Sequence, residues 1–225
     1  MDRTQRQPQR HRLKTDERRA QLLEVGIALF NKQPYESVGI DDIASAAGIS
    51  KGLLYHYFGG KRAFYVACVR LSAERMIEAV RPDPTLPPPI KALVGLTSYL
   101  DFVEARSTVF QQILLGGGGS IDTEVAAVIA ETRVRLADQL LEGTGIDGER
   151  PVFRFAARSY VGTCEAAALA WLADPDGVDR RVVMRMMIGA LDALMRAAAE
   201  LDPEAGIELP DPKVALAELK AMGMV

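Results

Sequence analysis

Residues 43–61 constrain the fold of this chain more than any other segment. Two short stretches with apolar residues at helical spacing are separated by Gly48, and Gly59 and Gly60 end the second stretch. Glycine is favoured where the backbone turns through positive φ, so these positions predict a tight turn and a helix end. Ser50 is a residue type that caps helix N-termini. Two helices joined by such a turn are typical of a helix-turn-helix.

Helical spacing and chain breakers elsewhere indicate an all-α fold, because no segment has a convincing strand pattern. Thr15, followed by two acids, predicts the N-cap of a first helix that Pro34 ends. Ser120 predicts another N-cap, and five prolines within residues 81–89 predict a stiff connection. After the first helix, the predicted helices are 39–47, 51–58, 61–80, 90–106, 108–115, 121–143, 151–173, 178–201 and 212–222.

Charge divides the 225 residues unevenly. Up to Arg62 there are eleven Lys and Arg against seven Asp and Glu, a net charge of +4, while the remainder carries −7. A basic front end on an acidic body suits a module that approaches phosphates. The predicted parts are a flexible basic arm (1–14), a helix-turn-helix domain (15–62) and a helical domain (63–225). The arm is either a solubilising tail or a contact to the DNA backbone or minor groove.

Several functional classes find no support in the sequence. Cys68 and Cys164 stand far apart without CxxC spacing, and the chain has only two histidines, His11 and His56. Neither a metal site, a cofactor site nor an enzyme's set of catalytic residues can be assembled from these. No apolar run is long enough to cross a bilayer, and the first residues do not form a secretory signal. We therefore expect a cytoplasmic protein that binds no membrane and no cofactor.

The stretch from Ile43 to Lys61 resembles the signature of the tetracycline-repressor (TetR) family, IA-x-x-AGVS-x-G-x-LY-x-YF-x-x-K. The resemblance covers about residues 15–65. It departs at Gly39, where relatives usually carry a Thr that caps the second helix and contacts phosphate, and at Pro34, which replaces a Gly. It implies an N-terminal three-helix helix-turn-helix domain and a C-terminal helical domain for ligand binding and dimerisation.

The third helix is the predicted DNA-reading element. Lys51 can reach a guanine edge or the backbone, and Lys61 joins its charge to free N–H groups at a helix start. Leu54 and Phe58 are expected in the core. The resemblance implies phosphate contacts by one subset (Tyr55, Tyr57, Lys61), base contacts by another (Lys51, Leu53, His56) and close backbone approach at Gly52. The predicted DNA-binding residues are Ser50, Lys51, Gly52, Leu53, Tyr55, His56, Tyr57 and Lys61.

One short reading helix covers few base pairs, so a symmetric dimer on a near-palindromic duplex is expected. Small residues recur every four positions on one late helix, and apolar stripes follow on the next. The resemblance implies a four-helix bundle with two helices from each subunit; the alternative is that these residues form only the core of one chain. The predicted interface residues are Gly162, Ala166, Ala170, Val182, Met186, Gly189 and Ala193.

Residues 90–175 are expected to hold a pocket for a largely apolar small-molecule effector. The candidate lining residues are Tyr99, Phe102, Arg106, Phe110, Gln111, Phe155 and Arg158, although most of the aromatic ones could be ordinary core. The glycines at 116–119 are a break at which a lining helix could shift. The expected function is a repressor that such an effector releases from its operator. Alternatives are an activator with the same DNA-binding domain and a redox-responsive regulator acting through Cys68.

Overall fold

The structure, a computed structural model, describes residues 7–115, 123–207 and 209, and every regular element within these ranges is helical. The all-α prediction is therefore confirmed. The glycines at 116–119, Ser120 and the predicted helix 212–222 lie outside the described residues. The α-helices are α1 Gln7–Phe30, α2 Ile40–Ala46, α3 Lys51–Phe58, α4 Lys61–Ala79, α5 Pro88–Glu104, α6 Ser107–Leu115, α7 Thr123–Thr144, α8 Pro151–Ala173 and α9 Arg180–Leu201, with 3₁₀ turns at Tyr35–Ser37 and Pro203–Ala205.

Helix α1 begins at Gln7, within the segment expected to be a flexible arm, rather than after a cap at Thr15. Residues 1–6 lie outside the described part of the chain. Among the described side chains of α1, burial starts at Leu22. Apolar residues are few before that point, which argues against packing but not against a helix, since Gln, Arg, Leu and Lys all have favourable helix propensities.

Contacts divide the chain into two units, Met1–Ala73 with Arg106–Val128 and Glu74–Ala105 with Ile129–Val225. This division differs from the expected boundary after residue 62. Helix α4 continues without a break beyond that point, and its Phe64 and Cys68 are buried in the core of the first unit. A boundary drawn at the end of the sequence motif therefore falls inside a continuous helix.

The core of the first unit joins α1, α2, α3 and the first part of α4. Phe64 is fully buried, and its ring meets that of Phe58 edge-on, with centroids 4.8 Å apart. This packing fixes one side of α3 against the unit. The buried members of the core are Leu22, Leu23, Ile27, Phe30, Val38, Ile43, Leu54, Phe58, Phe64 and Cys68.

Gly26 is a position of α1 where the core leaves no room for a side chain. A Cβ at that position would overlap the Phe64 ring and lie 2.6 Å from Cys68 Sγ. We expect Gly26→Ala to lower the free energy of unfolding by about 1–2 kcal/mol, because overpacking at so close a contact costs up to about 3 kcal/mol and the gain in helix propensity is only roughly 1 kcal/mol. Denaturant unfolding measures the change. Gly52→Ala is the matched control, since its Cβ would meet only Ser50 Oγ at 3.9 Å; equal effects of the two substitutions would contradict the packing argument.

The second unit is built on an antiparallel pair, α8 and α9. Arg150, which precedes α8, binds the carboxylate of Asp202, which follows α9, with an N–O distance of 2.7 Å. Asp179 accepts the N–H of Arg181 at 2.8 Å, so α9 begins at Arg180 rather than at the predicted 178. Trp171 is buried in this unit. The other buried residues of the pair are Phe153, Ala156, Ala157, Tyr160, Val161, Cys164, Ala168, Val183, Met184, Met187, Leu191, Met195 and Ala198.

Candidate nucleic-acid interface

The turn before α3 has the geometry that its sequence predicts. Gly48 has a φ of +62°, a backbone angle that residues with a Cβ rarely adopt, and the chain turns there after α2. The Oγ of Ser50 accepts the N–H of Leu53 at 3.2 Å and caps α3. At the other end Gly59, with φ +77°, closes the helix through its N–H to the Tyr55 carbonyl. The local sequence thus fixes both ends of the helix.

Helix α3 has one buried and one exposed side. Leu54 is 0% exposed and Phe58 is buried, as predicted for the core. On the other side Tyr55 is 51% exposed, and Lys51 and His56 are exposed as well. Leu53 and Tyr57 are half-buried, and Gly52 is exposed with open space around it. The arrangement offers a cation, a phenol and an imidazole to a ligand while the helix stays anchored.

Lys61 lies at the start of α4, and its position is fixed by aromatic residues. Its Nζ is 4.1 Å from the centroid of the Tyr35 ring, a cation–π distance. The Tyr35 ring in turn packs on that of Tyr65, with centroids 4.7 Å apart. Lys61 is half-buried, and its ammonium lies near a helix N-terminus; this suits a phosphate contact, because the ammonium and the N-terminal end of the helix dipole are both positive.

Two interactions at this surface were not foreseen from the sequence. The Nζ of Lys51 forms an ion pair with Oδ1 of Asp41 in the first turn of α2, at 2.6 Å. The guanidinium of Arg19 lies 5.1 Å from the ring centroid of Phe58, at the end of α3. Both join residues that are distant in sequence, so helical spacing alone gave no signal for them. Arg19 adds an exposed cation near the reading helix.

Gly39 leaves α2 without a side-chain cap, as the departure from the family pattern suggested. The Oδ2 of Asp42 instead accepts the N–H of Gly39 at 2.7 Å. This carboxylate stabilises the start of α2 from within the helix. The phosphate contact that relatives make through a Thr hydroxyl has no counterpart at Gly39.

A second candidate surface lies on α8 and α9. All seven predicted interface residues are exposed in the single chain, among them Val182 at 47% and Met186 at 70%. The neighbouring stripe that includes Val183 and Met187 is buried, so it packs within the unit. The face of α8 that carries Gly162 also carries Phe155, which is 73% exposed. An apolar face thus remains open on this pair of helices.

The predicted effector-lining residues belong to both units and differ in their exposure. Tyr99 and Phe102 are buried in the second unit, while Arg106, Phe110 and Gln111 belong to the first. Phe155 and Arg158, also predicted to line a pocket, are exposed in the single chain. Helix α8 carries apolar residues nearly all round, so spacing could not tell which of its sides faces inward.

The interior of the second unit contains buried polar groups: the hydroxyls of two tyrosines and the amide oxygen of a glutamine. Burial raises the pKa of Tyr99 and that of Tyr160 well above the ordinary value, with smaller contributions from Cys164. Both phenols are therefore neutral. The Oε1 of Gln139 is also buried and has no hydrogen-bond partner within the described residues. This interior combines apolar walls with a few polar groups.

Within the described ranges, no three His, Cys, Asp or Glu side chains are grouped to hold a metal ion. Among these residues, too, no helix combines the length and apolarity needed to span a bilayer.

Comparison with known proteins gives matches in both parts of the chain. A family model described as "Bacterial regulatory proteins, tetR family" matches residues 22–68, and one described as "Tetracyclin repressor-like, C-terminal domain" matches residues 92–196. A TetR-family transcriptional regulator from Streptomyces coelicolor has a similar structure, with a TM-score of 0.78 and 27% identity over 92% of this chain and 98% of that one.

Two relatives of named function show how far the likeness extends. The HTH-type transcriptional activator FasR of Mycolicibacterium smegmatis is 26% identical over 176 residues, which cover 76% of this chain and 79% of FasR. The transcriptional repressor AcnR of Corynebacterium glutamicum is 34% identical over 62 residues, only 28% of this chain and 33% of AcnR. Fold and matches are those of transcriptional regulators rather than of enzymes.

Proposed function

The chain belongs to the tetracycline-repressor (TetR) family of DNA-binding transcriptional regulators, and from that premise we propose that it acts as a homodimer on a palindromic operator. The observation that carries the proposal is the two-sided character of α3. Leu54 and Phe58 anchor the helix, while Lys51, Tyr55 and His56 face outward. A short helix presented in this way can enter a major groove and place side chains against base edges.

Selection of bound duplexes from a random pool tests this proposal. We expect an inverted repeat whose half-sites are about one helical turn, or a multiple of it, apart, because two copies of α3 related by twofold symmetry would read the two halves. A single unrepeated site would contradict the dimeric reading. Failure to enrich any sequence would contradict specific binding altogether.

The face of α8 and α9 is the proposed dimer interface. The face combines small residues, Gly162, Ala166 and Gly189, which allow close helix approach, with larger apolar ones such as Met186. A second copy would cover the same face of its partner through twofold symmetry. Covering this face also explains why such apolar residues stand in solvent in the single chain.

Repression is the proposed direction of control, with activation as the second candidate. A dimer seated on an operator that overlaps a promoter excludes polymerase. The likeness to FasR, a named activator that matches across most of this chain, favours the second candidate. Transcription in vitro from a promoter with the selected operator separates them: lower output on adding the protein supports repression, and higher output supports activation.

We propose that a largely apolar small molecule weakens operator binding. The buried aromatic residues of the second unit and its few buried polar groups, such as Tyr99 and Gln139, are the features that support this. Titrating a panel of fatty acids, aromatic acids and other apolar compounds against the protein–operator complex tests it. At least one member should lower operator affinity; no change across the panel would count against gating.

The redox alternative loses its main support in the structure. Cys68 is 3% exposed, its Sγ lies 3.8 Å from the Leu23 carbonyl, and burial raises the pKa of its thiol to about 12. Since the thiolate is the reactive form, we expect thiol reagents at pH 8 to modify native Cys68 far more slowly than the unfolded chain, and mild oxidants to leave operator affinity unchanged. A loss of affinity on oxidation that Cys68→Ser prevents would restore the redox interpretation.

The same pKa shift makes stability depend on pH. The pKa of Cys68 in the folded protein lies above the unfolded value of 9.0. The free energy of unfolding is therefore unaffected by this thiol below pH 9 and falls as the pH rises from 9 towards 12.

A further inference from the structure

A carboxylate stands directly beside the proposed reading helix. Asp41 Oδ1 lies 2.6 Å from Lys51 Nζ, and the two side chains are 68% and 56% exposed. Lys51 lies four residues before the exposed Tyr55, so both are on one side of α3. The ion pair therefore sits on the surface that would face DNA.

The neighbouring Asp42 has a structural role at the start of α2. The carboxylate of Asp42 accepts the N–H of Gly39 and begins α2. Asp41 also lies in the first turn of α2, where its charge favours the helix N-terminus, and its carboxylate is paired with Lys51. A negative charge at a surface that approaches phosphates opposes binding, because like charges repel. The pairing with Lys51 places this charge where it can act on DNA binding.

Resting on the proposed function, we propose that Asp41 is a positioning residue that sets sequence specificity through Lys51. On a non-cognate duplex the ion pair persists, so the ammonium is neutralised and the carboxylate repels nearby phosphates. Lys51 then adds little to sequence-independent binding. On the cognate duplex the O6 and N7 atoms of a guanine replace the carboxylate as acceptors. The exchange is feasible because exposed ion pairs are weak.

Asp41→Asn tests the inference with two duplexes, the operator recovered by selection and a scrambled one of equal composition. We expect the variant to bind the scrambled duplex about threefold to tenfold more tightly, with a slope of log K against log salt that is steeper by about 0.9. Operator affinity should change less, so the ratio of the two affinities falls. Asp41→Glu keeps the charge and should keep the wild-type ratio.

Glu36→Gln is the matched control, since it removes one exposed negative charge from the same unit without touching Lys51. A second control places Asp41→Asn on a Lys51→Ala background. There the loss of the carboxylate should tighten binding to both duplexes alike, so the ratio of the two affinities should stay unchanged. Equal effects of Asp41→Asn and Glu36→Gln, or an undiminished fall in the ratio without Lys51, would overturn the inference.

The experiment also separates this inference from the proposed function. A wild-type protein that prefers no duplex would overturn both. A wild-type preference that Asp41→Asn leaves intact, with an unchanged salt slope, would overturn the role of Asp41 alone.

Discussion

Replacing Met186 by Glu is expected to yield a monomer whose operator affinity is lower by about a hundredfold or more. Met186 is 70% exposed in the single chain and belongs to the proposed dimer face. In a twofold interface the substitution occurs twice, and each carboxylate would be desolvated without a partner. The monomer then contacts one half-site instead of two, which removes the binding energy of the second reading helix.

Sedimentation measures the oligomeric state, and fluorescence anisotropy with the selected operator measures the affinity. Val134→Glu is the matched control, because Val134 is also an exposed apolar residue, at 39%, but lies on α7. It should leave both quantities unchanged. A Met186→Glu protein that remains dimeric would show that subunits associate elsewhere, and a wild-type monomer would remove the proposed interface altogether.

Replacing Lys51 or His56 by Ala should have the next largest effect. Each is expected to weaken operator binding by about 1–3 kcal/mol if its side chain meets a base, while binding to a scrambled duplex changes little. For Lys51 the difference follows also from its ion pair with Asp41, which already neutralises it on non-cognate DNA. Lys61→Ala should instead lower affinity for both duplexes alike, because a phosphate contact carries no sequence information.

Titrations of each variant against both duplexes check this prediction. Lys32→Ala provides the control for loss of an exposed cation from the first unit away from α3. If the three α3–α4 variants bound the operator as the wild type does, the assignment of the recognition surface would be wrong.

The sequence predicted α3 to the residue, because local interactions fix both of its ends. Ser50 caps it through its own hydroxyl, and Gly48 and Gly59 adopt positive φ where only glycine is favoured. The burial of Leu54 and Phe58 followed from their spacing of four. The ends of α3 and the burial of its side chains depend on residues only a few positions apart, so the local sequence is enough to predict them.

Features that depend on residues far apart were missed. The pairing of Lys51 with Asp41 requires knowing how α2 lies against α3, which spacing does not give. On α8, residues with similar side chains take opposite environments: Phe153 is fully buried and Phe155 is 73% exposed. Because both sides of that helix are apolar, the pattern could not separate a pocket wall from an open face. The start of α1 was missed because low hydrophobicity was equated with lack of helix.

Amide hydrogen exchange of the chain with and without the selected operator tests the central claim, that α3 enters a groove of duplex DNA, most directly. Exchange in residues 51–58 should slow on adding the operator, and should slow less with a scrambled duplex at equal salt. The exposed apolar face of α8 and α9 should not respond, since in the proposed dimer a second subunit already covers it. Slower exchange elsewhere in the chain, with residues 51–58 unchanged, would contradict the account.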